Sequence, residues 1–116
     1  MKNKYVRSGG DEMKVVVIGA CGHIGSYLVP KLVKGGYEVV AVSRGKSRPY
    51  VKDPSWSRVE HVYSDRTKET DFADKIAAMD ADIVVDLINF HIKDTEAMTE
   101  ALKETRLSHY LFCSSI

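Results

Sequence analysis

The chain has 116 residues, of which 44% are hydrophobic and 28% are charged, and its formal net charge at pH 7 is +1. This length suits a single domain, and the composition is that of a globular protein rather than a disordered one. The near-neutral charge argues against a basic footprint for nucleic acid or an anionic membrane, so we expect neither partner. The apolar runs are strand-sized and fall short of the roughly 20 residues that a bilayer span requires.

Residues 1–12 contain three basic residues and a Gly-Gly pair but no apolar h-region, so they do not form a secretory signal. We interpret this segment as a disordered leader or an expression remnant, followed by the domain proper over 13–116. Cys21 and Cys113 are isolated thiols without metal-ligand spacing, so we expect no metal site. Two unpaired cysteines suit a reducing compartment, and we expect a cytoplasmic protein.

From Met13 onwards, short β-rich runs alternate with helical patterns. The predicted strands are Lys14–Ile18, Glu38–Ser43, Arg58–Tyr63, Asp82–Leu87 and His109–Cys113. This β-α-β alternation predicts an α/β fold with a doubly wound parallel (Rossmann) sheet in the order 3-2-1-4-5, truncated after strand five. Its ligand crevice would lie at the carboxyl ends of the strands, where the strand order reverses.

Apolar stripes at helical spacing predict three helices between these strands. The stripes are Ile24, Leu28 and Leu32, then Phe72, Ile76 and Met79, then Ala97 or Met98 with Ala101 and Leu102. Pro30 lies inside the first helix and predicts a kink or a local energetic cost there. Asp94 or Thr95 is the predicted N-cap of the third. The segment 44–57 is polar and is predicted to be a long surface loop.

A glycine-rich turn, Gly19-Ala-Cys-Gly-His-Ile-Gly25, directly follows the first strand and opens the first helix. Its glycines would allow a sharp turn, a close backbone approach to a pyrophosphate and tight packing of helix on strand. The N-terminus of the helix would direct N–H groups and the positive end of its dipole at the phosphates. The alternative is a merely tight turn in another flavodoxin-like fold. The turn residues assigned to cofactor binding are Gly19, Cys21, Gly22, His23, Ile24 and Gly25.

The G-x-x-G-x-x-G spacing resembles the extended branch of the short-chain dehydrogenase/reductase superfamily, the NAD(P)-dependent sugar epimerases and dehydratases. The resemblance covers residues 13–116. Arg44 ends strand two, where NAD-preferring members usually carry an acidic residue, and an arginine suits the 2′-phosphate of NADP. NADP is therefore the expected cofactor and NAD the alternative. Lys46 and Arg48 add positive charge nearby.

The resemblance implies further contacts with the cofactor. Asp65 would accept a hydrogen bond from the adenine amino group, with the backbone of Arg66 assisting; the alternative is an aspartate that caps a helix or a turn. Leu87, Ile88 and Asn89 follow strand four, where relatives line the cofactor with smaller residues. Ser115 is the positional match to the active-site serine that binds the substrate oxygen. A serine at the end of a strand could also cap a turn.

In that family a Tyr-x-x-x-Lys pair beyond the serine moves the proton, and no such pair follows Ser115 in this chain. The resemblance therefore implies the NADP(H)-binding half of an epimerase, dehydratase or reductase for nucleotide sugars or related carbonyl compounds, not competent alone. The alternative is a non-catalytic protein that senses NADP(H). A sheet cut after strand five leaves an open edge, through which the chain could associate with itself.

Overall fold

A computed structural model describes residues 13–44, 49, 52–66, 68–89, 92–103, 105 and 107–114. Five parallel strands form one sheet in the order β3-β2-β1-β4-β5. The strands are β1 (Lys14–Ile18), β2 (Glu38–Ser43), β3 (Glu60–Tyr63), β4 (Ile83–Asn89) and β5 (His109–Ser114). The helices are α1 (His23–Lys34), α2 (Phe72–Ala78) and α3 (Ile92–Leu102), with a 3-10 helix over Pro54–Arg58. The predicted doubly wound fold and its strand order are confirmed.

Both faces of the sheet are covered, because alternate residues of each central strand enter opposite cores. Val15 and Val17 of β1 pack with α1 and the 3-10 helix, whereas Val16 and Ile18 pack with α2 and α3. All four side chains are fully buried. A strand buried on both faces gives a continuous run of β-branched residues instead of alternation, which is why β1 could be recognised from its sequence.

Helix α1 continues through Pro30, which is buried, and ends at a pair of glycines. The N–H of Gly35 donates to the carbonyl of Lys31 at 2.9 Å, and Gly36 adopts a φ of 94° that an L side chain rarely takes. Lys31 and Lys34 lie in the last turn, where their charge suits the negative end of the helix dipole.

Asp82 joins three strands at the amino edge of the sheet. Its buried carboxylate accepts the backbone N–H of Lys14 at 2.7 Å, and its own N–H donates to the Lys14 carbonyl at 2.9 Å. Its carbonyl accepts the N–H of Ser108 at 2.7 Å. This connection fixes the starts of β1, β4 and β5 and leaves the opposite edge to the loops that form the candidate site.

Five local predictions are wrong. Strand β3 begins at Glu60, two residues later than predicted, because Asp53 caps a 3-10 helix over Pro54–Arg58, so the predicted surface loop is partly helical. Strand β4 runs to Asn89, because its pairing with β5 continues to Ser114 after a register shift. Strand β5 likewise extends to Ser114. Helix α3 begins at Ile92, so neither Asp94 nor Thr95 is its N-cap.

Candidate cofactor-binding site

The glycine turn lies at the point where the strand order reverses, beside the end of β2. The backbone N–H groups of Gly19 and Ala20 donate to the carbonyl of Val42 at 2.8 and 3.2 Å. Arg44 follows two residues later and is exposed. The turn and the predicted 2′-phosphate residue therefore share one edge of the sheet, which is where ligands bind in folds of this class.

The three glycines of the turn meet different structural demands. Gly19 adopts a φ of 83°, which allows the sharp turn after β1. A Cβ on Gly25 would lie 2.3 Å from the carbonyl oxygen of Ala20, so only a glycine lets α1 approach the turn this closely. Gly22 is exposed, has an ordinary φ of −77°, and would place a Cβ in van der Waals contact at 3.4 Å. The protein fold alone therefore does not require a glycine at position 22.

The N-terminus of α1 suits an anion. Gly22 is its N-cap and supplies no side chain to cap the helix, and the first turn, residues 23–26, has no acidic residue. The free backbone N–H groups and the positive end of the helix dipole at this N-terminus therefore meet no competing carboxylate from that turn. His23 and Ile24 are exposed beside it. A pyrophosphate fits the chemistry of this donor set.

Cys21 can offer the cofactor only its backbone, because its side chain is buried under the turn. Burial raises the pKa of the thiol, and the neighbouring Ser43 hydroxyl partly offsets this effect. The Ser26 hydroxyl donates to the Cys21 carbonyl at 3.4 Å. Cys21 therefore lies under the turn as a neutral thiol.

Asp65 lies next to Arg44 across the ends of β2 and β3. The link is a backbone hydrogen bond from the N–H of Ser64 to the Ser43 carbonyl at 3.0 Å. Arg44 directly follows Ser43, and Asp65 directly follows Ser64. The structure therefore brings together the residues predicted for the adenine and for the 2′-phosphate.

Glu69 organises the loop that carries Asp65, a role that the sequence did not suggest. Its carboxylate accepts the Ser64 hydroxyl at 2.6 Å and the backbone N–H of Asp65 at 3.0 Å, and it pairs with Lys75. The hydrogen bond from Lys75, followed by those from Ser64 and Asp65, lowers the pKa of Glu69 to about 2. The sequence signal nearest to this role is a serine followed by a glutamate, as in a capping box. Ser64 and Glu69 are however five residues apart, whereas the two residues of a capping box are three apart.

The side chain of Arg66 turns into the protein instead of extending into solvent. Its guanidinium forms an ion pair with Asp86 on β4, and only 9% of the side chain is exposed. Arg66 can therefore contact a cofactor at Asp65 chiefly through its backbone, as the resemblance implied.

The remaining predicted residues belong to β4 and the end of the chain. Leu87 is half-buried and packs against the core on the α1 side of the sheet. Ile88 and Asn89 lie within β4 instead of following it, and their side chains are outside the described part of the structure. Ser115, Lys46 and Arg48 are also outside the described residues.

A family model described as NAD(P)H-binding matches residues 19–116 of the chain. The chain belongs to this NAD(P)H-binding family. The match begins at the first glycine of the turn and includes the carboxyl ends of β2, β3 and β4. A nicotinamide dinucleotide is therefore the class of ligand expected of the chain.

The chain is also similar to longer proteins. It is 32% identical to the chloroplast stem-loop binding protein of 41 kDa b of Arabidopsis thaliana, over 93% of this chain and 30% of that protein. A UDP-galactose 4-epimerase structure is 29% identical, with a TM-score of 0.63 over 89% of this chain and 38% of that one. A nucleoside-diphosphate-sugar epimerase of Agrobacterium tumefaciens shares the fold at 19% identity, with a TM-score of 0.63 over 95% and 41%. The chain thus spans less than half of these relatives. Among its described helices, none has the length and hydrophobicity to cross a bilayer.

Proposed function

We propose that the chain is the NADP(H)-binding half of an NAD(P)-dependent epimerase, dehydratase or reductase that acts on nucleotide sugars or related carbonyl compounds. The observation that carries this proposal is the exposed Gly22 at the N-terminus of α1, in a turn that is hydrogen-bonded to β2 two residues before Arg44. The likeness to UDP-galactose 4-epimerase favours the nucleotide-sugar substrate.

Each part of the site has a proposed role in holding the cofactor. The start of α1 binds the pyrophosphate through backbone N–H groups, and Gly22 lets the phosphate oxygens approach. Arg44 pairs with the 2′-phosphate through charge-assisted hydrogen bonds. Asp65 accepts the adenine amino group, with the backbone of Arg66 beside it. The turn residues Cys21, His23 and Ile24 add backbone contacts.

The bound nicotinamide supplies hydride transfer, and the protein supplies position. Leu87, Ile88 and Asn89 are proposed to line the nicotinamide side of the cofactor, and Ser115 to hydrogen-bond the substrate oxygen. Substrate turnover is proposed only for a polypeptide that also provides the Tyr-x-x-x-Lys pair. The 116 residues are proposed to bind the cofactor without turning over substrate.

The Gly22→Asp variant tests this proposal. A carboxylate at this position repels the pyrophosphate, whereas the fold leaves room for a side chain there. NADPH binding, measured by calorimetric titration, should be lost while the far-ultraviolet circular dichroism is retained. Thr99→Asp adds the same charge at an exposed position of α3 and should leave binding intact. Equal NADPH affinity in wild type and Gly22→Asp would refute the proposal.

A second candidate function is binding of a nucleic-acid stem-loop, the activity in the name of the Arabidopsis relative. Trp56, His61 and Tyr63 form a ladder of stacked rings, with centroid distances of 5.6 and 6.3 Å, along the edge strand β3. Tyr63 is 50% exposed, and exposed rings can stack with unpaired bases. Titration with a stem-loop RNA should then give saturable binding that His61→Ala/Tyr63→Ala weakens. Absence of binding at low salt would exclude this function. The net charge of +1 makes it the second choice.

A further inference from the structure

A buried ion pair lies close to the candidate site. The carboxylate of Asp86 on β4 has no exposed surface and accepts hydrogen bonds from both terminal nitrogens of Arg66, at 3.1 and 2.5 Å. The Tyr110 hydroxyl of β5 donates to the same carboxylate at 2.8 Å. The Arg66 guanidinium carbon lies 4.9 Å from the centroid of the Phe72 ring. A planar guanidinium that donates two hydrogen bonds to one carboxylate and lies over an aromatic ring has one well-defined orientation.

This ion pair joins two parts of the chain that the sheet itself keeps apart. Arg66 belongs to the loop after β3, an edge strand, whereas Asp86 belongs to β4, on the far side of β2 and β1. In the strand register Asp86 lies opposite Ile18, the last residue before the glycine turn. Asp86 therefore fixes the loop of Asp65 relative to β4 and to the neighbouring strand β1, after which the glycine turn begins.

We infer that the Arg66–Asp86 pair positions the Asp65 loop for the adenine half of the cofactor. This inference rests on the proposed NADP(H) site. Neither Arg66 nor Asp86 needs to touch the cofactor through its side chain, so both are positioning residues.

The local contacts of the loop show why a distant anchor is needed. Glu69 holds the backbone N–H of Asp65 and the hydroxyl of Ser64 within the loop, and its ion pair with Lys75 ties the loop only to the adjacent helix α2. The hydrogen bond between Ser64 and Ser43 ties the loop only to its neighbouring strand β2. The Arg66 side chain provides the directional link to β4, on the far side of β2 and β1.

Stability alone is a poor explanation for such a pair. Apolar residues of similar volume often stabilise a core as well as a buried ion pair does, because two charges must lose their hydration. Apolar packing lacks the fixed directions of a bidentate hydrogen bond. Replacing both residues by apolar ones should restore stability under either role. It should restore binding of the adenine half of the cofactor only if the role is merely structural.

The test compares two half-cofactors as probes of the 116-residue chain, ADP for the adenine side and reduced nicotinamide mononucleotide for the other side. In Asp86→Asn we expect the Kd for ADP to rise about tenfold, the range of typical coupling between sites, while the Kd for the mononucleotide changes less than about twofold. The double variant Arg66→Met/Asp86→Leu should recover thermal stability but keep the weakened ADP binding. The control Glu100→Gln, on α3, breaks an exposed ion pair with Lys103 and should bind both probes as the wild type does.

Three results would overturn the inference: unchanged ADP affinity in folded Asp86→Asn, equal weakening of both probes, or recovery of ADP affinity together with stability in the double variant. If Asp86→Asn does not fold, the double variant decides by its ADP affinity alone. Failure of the proposed function has a different signature, because the wild-type chain would then bind neither NADPH nor ADP. That result would overturn both.

Discussion

The same added methyl group should lower the stability of the fold at Gly25 and the affinity for NADPH at Gly22. In Gly25→Ala the new Cβ would lie 2.3 Å from the Ala20 oxygen, 2.6 Å from its carbonyl carbon and 2.7 Å from its Cα. All three atoms are backbone, so no side chain can rotate to relieve the overlap. Strain of this kind lowers the free energy of unfolding by about 1–3 kcal/mol, and the contact with backbone atoms places this variant at about 3 kcal/mol. For a domain of this size, that lowers Tm by about 12–24 °C.

In Gly22→Ala the nearest contact of the Cβ is 3.4 Å and the φ of −77° is open to alanine. The variant should lose no more than about 1 kcal/mol, the difference between glycine and alanine at an N-cap. The methyl group would however stand where the pyrophosphate is proposed to approach the start of α1. NADPH affinity should therefore fall although the fold is kept.

Thermal unfolding followed by circular dichroism, together with calorimetric titration of both variants with NADPH, measures the two effects separately. Gly25→Ala should lose mainly stability and Gly22→Ala mainly affinity. A Gly25→Ala variant within about 1 kcal/mol of wild type would refute the close approach of α1 to the turn. An unchanged NADPH affinity in Gly22→Ala would refute the place of Gly22 against the pyrophosphate.

Three further predictions concern single side chains. Arg44→Asp should weaken NADPH much more than NADH, because only NADPH carries the 2′-phosphate; equal losses in calorimetric titrations would remove Arg44 from that role. Glu69 has a folded pKa of about 2, below its ordinary value of 4.5, so its contribution to stability is complete above pH 4.5 and is lost as the pH falls towards 2. The difference in Tm between wild type and Glu69→Gln should shrink over that range, and a constant difference would contradict the assignment. Asp82→Ala should lower the free energy of unfolding by about 1–3 kcal/mol, because the Lys14 N–H loses its acceptor, and a urea titration with no shift in midpoint would contradict this.

The sheet and the glycine turn were predictable because their signals are local. A strand buried on both faces must be apolar along its buried length, as in residues 15–18, and the turn must contain glycine where φ is positive or where backbones meet. The start of β3 was missed although Asp53-Pro54 is a recognisable helix start, with a capping carboxylate that accepts the Ser55 N–H at 2.8 Å.

The polar contacts that organise the site could not be predicted in the same way. Asp86 interrupts an apolar strand, and a buried carboxylate there requires a partner. Nothing in the spacing identifies that partner as Arg66, 20 residues earlier, or as Tyr110 on the next strand. These pairings depend on how the crossovers bring the loop after β3 over the sheet, which only the folded chain specifies.

The most direct test of the proposed cofactor is titration of the wild-type chain with NADPH and, separately, with NADH by calorimetry. We expect saturable binding of one equivalent of NADPH and a weaker affinity for NADH, because the role proposed for Arg44 is a charge-assisted contact with the 2′-phosphate, which NADH lacks. A chain that is folded by circular dichroism but binds neither dinucleotide would contradict it.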